Sequence, residues 1–178
     1  MKILIIGMAR HGKDTVAELI SKKTGMKSKS SSEAALEIFL FDKLNQLRSW
    51  GRLMPYATLE EAYADRVNHR QLWHDLIAEY NKADPARLTK DILKENDIYV
   101  GMRNIRELEA TRNLFDWIVW VDAYDRLGIT EGPESLSISI KDSDYIICNN
   151  HDLEWLDKGV IDFIECCSQS TARPRLAK

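Results

Sequence analysis

The sequence predicts an α/β protein: a parallel sheet flanked by helices, with a helical insertion in its middle. Three observations carry this. Residues 2–6, 98–102, 117–121 and 145–148 are short apolar runs without the alternation of a half-exposed strand, so they read as strands buried on both faces. Helical stretches separate them, which favours parallel strands joined by right-handed crossovers. The first run also passes through a glycine-bearing segment directly into a helix.

Taken in order, Lys2-Ile3-Leu4-Ile5-Ile6 is a strand that ends at Gly7. Lys13–Lys23 places Val16, Ala17, Leu19 and Ile20 on one helical face, and Thr24-Gly25 supplies a stop. Residues 26–32 are polar and serine-rich and read as a loop whose serines cap a helix over Glu33–Trp50. Thr58, with Glu61 three residues on, has the capping-box pattern and opens a long helix to about Tyr80. Asp84-Pro85 begins another, to about Glu95. The strand at Ile98, a helix over Ile105–Leu114, the strand Trp117–Val121, a loop holding Gly128, Gly132 and Pro133, the strand Tyr145–Cys148 and a helix over Leu153–Cys167 complete the order. Trp117 and Trp120 read as packing residues. The expected division is one domain: a core over about 1–25 and 96–167, an insertion over about 33–95, and a frayed tail over about 168–178.

The 178 residues suffice for one core without staples, burying roughly 70% of the unfolded surface. A hydrophobic fraction of 44% excludes wholesale disorder, and no apolar run approaches the roughly 20 residues needed to span a bilayer. The N-terminal apolar stretch lacks a small-residue cleavage site, so no signal peptide is expected. Cys148, Cys166 and Cys167 form neither a disulfide framework nor a metal clip, which points to a reducing cytoplasm. The net charge of −3 argues against coating nucleic acid by bulk charge, while leaving room for a local basic groove. His11, His74 and His151 lack metal-ligand spacing.

Gly7-Met8-Ala9-Arg10-His11-Gly12-Lys13-Asp14-Thr15 has the spacing G-x-x-x-x-G-K, with Asp14 where a hydroxyl residue is usual. The two glycines let backbone N–H groups converge on an anion, the following helix adds its positive end, and Lys13 adds a mobile charge. Arg10 and His11 lie inside the loop, and Arg10 faces phosphate in this reading. Asp14 has two readings, a magnesium partner through water or a helix-dipole partner in the first turn. Thr15 can take the hydroxyl role.

The run Gly12-Lys13-Asp14-Thr15 after a strand, together with Gly101-Met102-Arg103-(x)3-Glu107 and Ser143-Asp144-Tyr145-Ile146-Ile147-Cys148-Asn149, resembles bacteriophage deoxynucleoside monophosphate kinases. It is similar more distantly to dephospho-coenzyme A kinase and thymidylate kinase. The resemblance covers the sheet segments well and the helical middle poorly. It implies a P-loop NTPase-type sheet, ATP as donor, Mg²⁺, and a nucleotide acceptor held by the insertion. It places Arg103 and Glu107 on the acceptor side and Asn149 beside adenine, although Asn149 could equally cap the closing helix. Where many such kinases carry an aspartate before the arginine, this chain has Gly101-Met102, so Asp122 becomes the next metal-side acid.

Asp65-Arg66-Val67-Asn68-His69-Arg70-(x)2-Trp73 is the densest polar cluster. On one helix, Arg66 and Arg70 share a face and could fork onto a phosphate, with His69 and Trp73 beside them and Trp73 able to stack on a base. The plainer reading is a solvated helix with Trp73 in the core. Arg126, after the strand Trp117–Val121, stands where such kinases keep a lid and could clamp the transferred phosphoryl; as a surface arginine it would do nothing. The leading expectation is an ATP-dependent kinase of a deoxynucleoside monophosphate. One alternative is a phage enzyme that phosphorylates a 5-hydroxymethyl pyrimidine (5-hydroxymethyluracil) within DNA, for which Asp65, Asp14 or Asp122 would be the base. Another is a regulatory ATPase, though no glutamine-bearing switch stands out. A non-catalytic interaction protein would leave Lys13 without purpose. No membrane partner is expected, and the oligomeric state is open, a homodimer among the options.

Overall fold

A computed structural model describes residues 1–132 and 134–169. Pro133 and all of the predicted tail beyond Gln169 lie outside the described residues. Five strands, β1 (Ile3–Ile6), β2 (Ser28–Ser30), β3 (Ile98–Val100), β4 (Trp117–Asp122) and β5 (Tyr145–Cys148), form one parallel sheet in the order β2-β3-β1-β4-β5. The α/β sheet read from the apolar runs is the architecture found. Alternation within each strand divides the core in two. Leu4, Ile6, Tyr99, Ile118 and Trp120 face one side, and Ile3, Ile5, Ile98, Val100, Trp117, Val119 and Val121 face the other.

Helices α1 (Lys13–Thr24) and α9 (Leu153–Gln169) cover the second face through Val16, Ala17, Ile20, Leu156, Val160 and Phe163. Trp117 packs edge-on to Phe163 there, with ring centroids 5.8 Å apart, whereas Trp120 is buried on the opposite side. The first face is covered by the helical middle and by α7 (Ile105–Thr111), whose Leu108 enters that core. From β1 the chain crosses toward β2 and β3 on one side of the sheet, then passes to β4 and β5 on the other. The reversal beside β1 leaves a crevice at the carboxyl ends of the strands, where open α/β sheets bind ligands.

Several local expectations require correction. Ser28–Ser30, read as loop, is the edge strand β2 paired to β3, and its half-buried polar side chains hid it from an apolar criterion. Ser30 then caps α2 (Ser31–Ala35) in a complete capping box with Glu33. The helix continues through a π-helical stretch, Leu36–Leu40, into α3 (Phe41–Trp50), burying Leu36, Leu40 and Leu44. Thr58 does cap α4 (Leu59–Asp65), accepting from the Glu61 amide at 3.2 Å, but the Glu61 carboxylate reaches back to the Ala57 amide at 2.8 Å.

The long helix expected from Thr58 to Tyr80 is broken. A 3₁₀ turn over Arg66–Asn68 separates α4 from α5 (Arg70–Tyr80). Val67, Asn68 and His69 all have weak helix propensity, and Asn68 Nδ2 donates to Asp65 Oδ1 at 2.7 Å, a local bond that competes with the helical ladder. The next helix, α6, is shorter than read, spanning Arg87–Leu93. A one-turn helix α8 (Tyr124–Leu127), absent from the sequence reading, follows β4.

Candidate active site

The loop from Gly7 to Gly12 leaves the carboxyl end of β1 and enters α1. Gly7 has φ +142°, and a Cβ there would sit 2.6 Å from the carbonyl oxygen of Val121 on β4. Gly12, at φ +91°, precedes the helix in the left-handed region, and Arg10 shares that region at φ +65° with an exposed side chain. The first-turn amides of α1 have no intrahelical carbonyls to bond, so the positive end of the helix opens onto the loop.

Lys13 is nearly buried, and its Nζ donates to the carbonyl of Met8 at 2.7 Å. Burial and then the charge of Arg103 lower its pKa to about 8, against the opposing pull of Glu131 and Asp14. His11, also a loop residue, is fully buried. Its Nδ1 accepts from the Ala123 amide at 3.1 Å, so Nε2 carries the proton and donates to the carbonyl of Gly128 at 3.3 Å. His11 is therefore a brace between the loop Gly7–Gly12 and the segment after β4. Asn149 braces the same loop from β5, donating from Nδ2 to the His11 carbonyl at 2.8 Å. It does not cap α9, where Asp152 accepts from the Trp155 amide instead.

Arg126 is exposed on α8, with Nε donating to the Asn149 carbonyl at 3.2 Å, so it lies beside the loop. Asp14 is exposed and Thr15 half-buried in the first turn of α1. Asp122 ends β4, and its Oδ1 accepts from the Tyr124 amide at 3.3 Å. Among the described residues no group of three or more His, Cys, Asp or Glu side chains converges as a metal site. A magnesium ion held largely by phosphate and water needs only one or two protein oxygens, and the hard oxygen donors of Thr15 and Asp122 suit that demand.

The acceptor-side expectations separate. Arg103 reaches the mouth of the loop and pairs with Glu131. Arg66 donates from Nη1 to Ser32 Oγ at 2.7 Å, and its guanidinium lies 5.0 Å from the centre of the Tyr63 ring. That ties it to the start of α2, beyond the end of β2. Arg66 and Arg70 do not share one continuous helix, and Arg70 is exposed at the start of α5. Trp73 is 3% exposed and packs edge-on to Tyr63, so it is a core residue and not a stacking platform. His69 meets Asp65 at 3.2 Å. Hydrogen bonds from Tyr56 and Asn68 hold the Asp65 carboxyl below its ordinary pKa, which weakens it as a base. Glu107 points into the core, accepting from Thr89 Oγ1 at 2.9 Å and Tyr99 Oη at 3.1 Å, and burial pushes its pKa up to about 7.

Two features were not anticipated. Glu131 stands against the loop, its Oε1 accepting from the Ala9 amide at 2.6 Å, while Thr130 Oγ1 donates to the Ala9 carbonyl at 2.7 Å. Next to it is a cavity of about 530 Å³ whose wall includes Met8, Trp120, Leu136 and Ile138, with Asp122 and Glu131 at its polar edge. The only sequence signal for Glu131 is a lone acid between Gly128 and Gly132. The cavity is assembled from distant segments and has no sequence signature.

No protein-family model and no curated protein matches this chain. Solved structures do. Dephospho-CoA kinase from Campylobacter jejuni superposes with TM-score 0.54 at 18% identity, covering 94% of this chain and 98% of its own. Shikimate kinase from Aquifex aeolicus gives 0.51 at 14%, with the same coverage. Shikimate kinase from Bacteroides thetaiotaomicron gives 0.51 at 10%, again over 94% and 98%. No helix among the described residues is long and apolar enough to cross a membrane. With the parallel sheet and its order of strands, these likenesses show that the chain shares the α/β fold of those solved kinases.

Proposed function

We propose that this chain is an ATP-dependent phosphotransferase acting on a nucleotide, with a deoxynucleoside monophosphate as acceptor, as in the bacteriophage kinases it resembles. The observation that carries the reading is the loop Gly7–Gly12 at the switch point of the sheet. There Lys13 and Arg103 are near enough for their charges to oppose each other, beside a largely apolar cavity. Two cations at that mouth neutralise the charge that phosphoryl transfer spreads over oxygen, and positioning does most of the remaining work. Lys13 and the loop amides hold the donor's phosphates, with Arg126 beside them. Arg103 and Arg66 receive the acceptor's phosphate, and the apolar wall of the cavity suits a base better than a polyol. Thr15 and Asp122 would hold Mg²⁺, which supplies charge neutralisation between phosphates. A phosphate nucleophile is already anionic and needs no general base.

The second reading, transfer to a hydroxymethyl pyrimidine within DNA, requires a base for the alcohol. Asp122 at the cavity edge is what favours it, since Asp65 is held in a weakly basic state. Transfer of label from [γ-³²P]ATP to each deoxynucleoside monophosphate, and to modified and unmodified DNA, tests both. Label on free nucleotide supports the first reading and label on polymer the second. Label released only to water, or turnover retained in Lys13→Ala, would overturn both.

A further inference from the structure

We propose that Glu131 is an internal stand-in for a ligand's phosphate: its carboxylate is seated on the loop Gly7–Gly12, and an incoming polyphosphate must displace it. The inference rests on the phosphate-binding reading of Gly7–Thr15 and adds a regulation of that site. The partners of the carboxylate are those a phosphate oxygen would take. Oε1 accepts a backbone N–H of the loop, from Ala9 at 2.6 Å, and Oε2 accepts from the guanidinium of Arg103. Only 9% of the Glu131 side chain is exposed, so this is a seated anion and not a surface acid. Its charge also reaches Lys13, whose pKa it raises.

The backbone around it is tied down separately. Thr130 Oγ1 donates to the Ala9 carbonyl and His11 donates to the Gly128 carbonyl, so the segment 128–131 lies across the loop through contacts that do not involve the carboxylate. Expelling Glu131 therefore asks for a side-chain swing and no unfolding of the segment. Glu131 and the loop residue Met8 both line the cavity, so the same swing reshapes the cavity wall beside the loop. A carboxylate left in place would set a negative charge against the incoming phosphates, and like charges at this separation strongly oppose binding. The site thus excludes ligands too weakly charged to compete, and the seated carboxylate offsets part of the charge of Arg103 and Lys13.

Isothermal titration of the full chain with ATP and with inorganic tripolyphosphate tests the idea. Glu131→Ala should tighten both by about tenfold or more, because the site no longer spends part of its time occupied by its own carboxylate. Glu131→Gln, which keeps the size and the acceptor toward Ala9, should tighten them by roughly threefold, and it carries the test if the alanine variant does not fold. Equal or weaker affinity in the folded variants overturns the stand-in role and leaves the phosphate-loop reading intact. No binding of either ligand by wild type or variants overturns the phosphate-loop reading itself.

Discussion

Glu107 is a carboxyl 8% exposed in the core, with two hydroxyl donors, Thr89 and Tyr99, on one of its oxygens. Desolvation outweighs those bonds and raises its pKa from 4.5 to about 7. Between those values the folded chain holds a proton that the unfolded chain has released. Stability is therefore fully present below pH 4.5, falls as pH rises toward 7, and stays lower above it. The shift corresponds to about 3 kcal/mol, a large share of the 5–15 kcal/mol typical of a domain. Glu107→Gln keeps an acceptor for both hydroxyls and removes the ionisation. The variant should match wild type within about 1 kcal/mol at pH 4.5 and exceed it by up to about 3 kcal/mol at pH 8. Urea denaturation at pH 4.5, 6 and 8 reads this directly, as a divergence of midpoints with rising pH. Parallel pH curves for the two proteins would refute the assignment of a buried, proton-binding carboxyl.

Three further outcomes follow from the site. With Lys13 near pKa 8 in the free chain, nucleotide affinity should fall roughly tenfold between pH 7 and 9 as the lysine loses its proton, and Lys13→Arg should flatten that profile; a flat wild-type titration would remove Lys13 from the phosphate site. Gly7→Ala should cost about 2–4 kcal/mol in urea unfolding, because its Cβ meets the Val121 carbonyl, whereas Gly25→Ala, at positive φ but in open space, should cost about 1 kcal/mol; equal losses would show that the close approach to β4 is not what requires glycine. Arg66→Ala should raise the KM for the acceptor at least tenfold with little change in the KM for ATP, while Arg70→Ala should leave both within about twofold, since the helix break parts the two arginines; a larger effect at Arg70 would place the acceptor along α5 instead.

Four of the five strands, the glycine loop and most of the helices were legible in the chain alone. Each is written in local chemistry: continuous apolar runs at β1, β3 and β4, a G-x-x-x-x-G-K spacing at Gly7–Lys13, and side-chain caps at Ser30 and Thr58. Such features need only a few consecutive residues, so they survive without knowledge of the fold. The role of a polar side chain depends on which distant backbone it meets, and that follows from packing. Trp73 and Glu107 had motif-like positions, yet the packing of α5 and α7 turned them into the core. Asn149 and His11 lie 138 positions apart in the chain and became partners only when β5 came to lie beside β4 and brought the amide to the loop. Glu131 shows the same principle most sharply. Nothing about an acid between two glycines foretells that it will be set against the Ala9 amide, because that contact exists only once the segment after β4 has crossed the glycine loop.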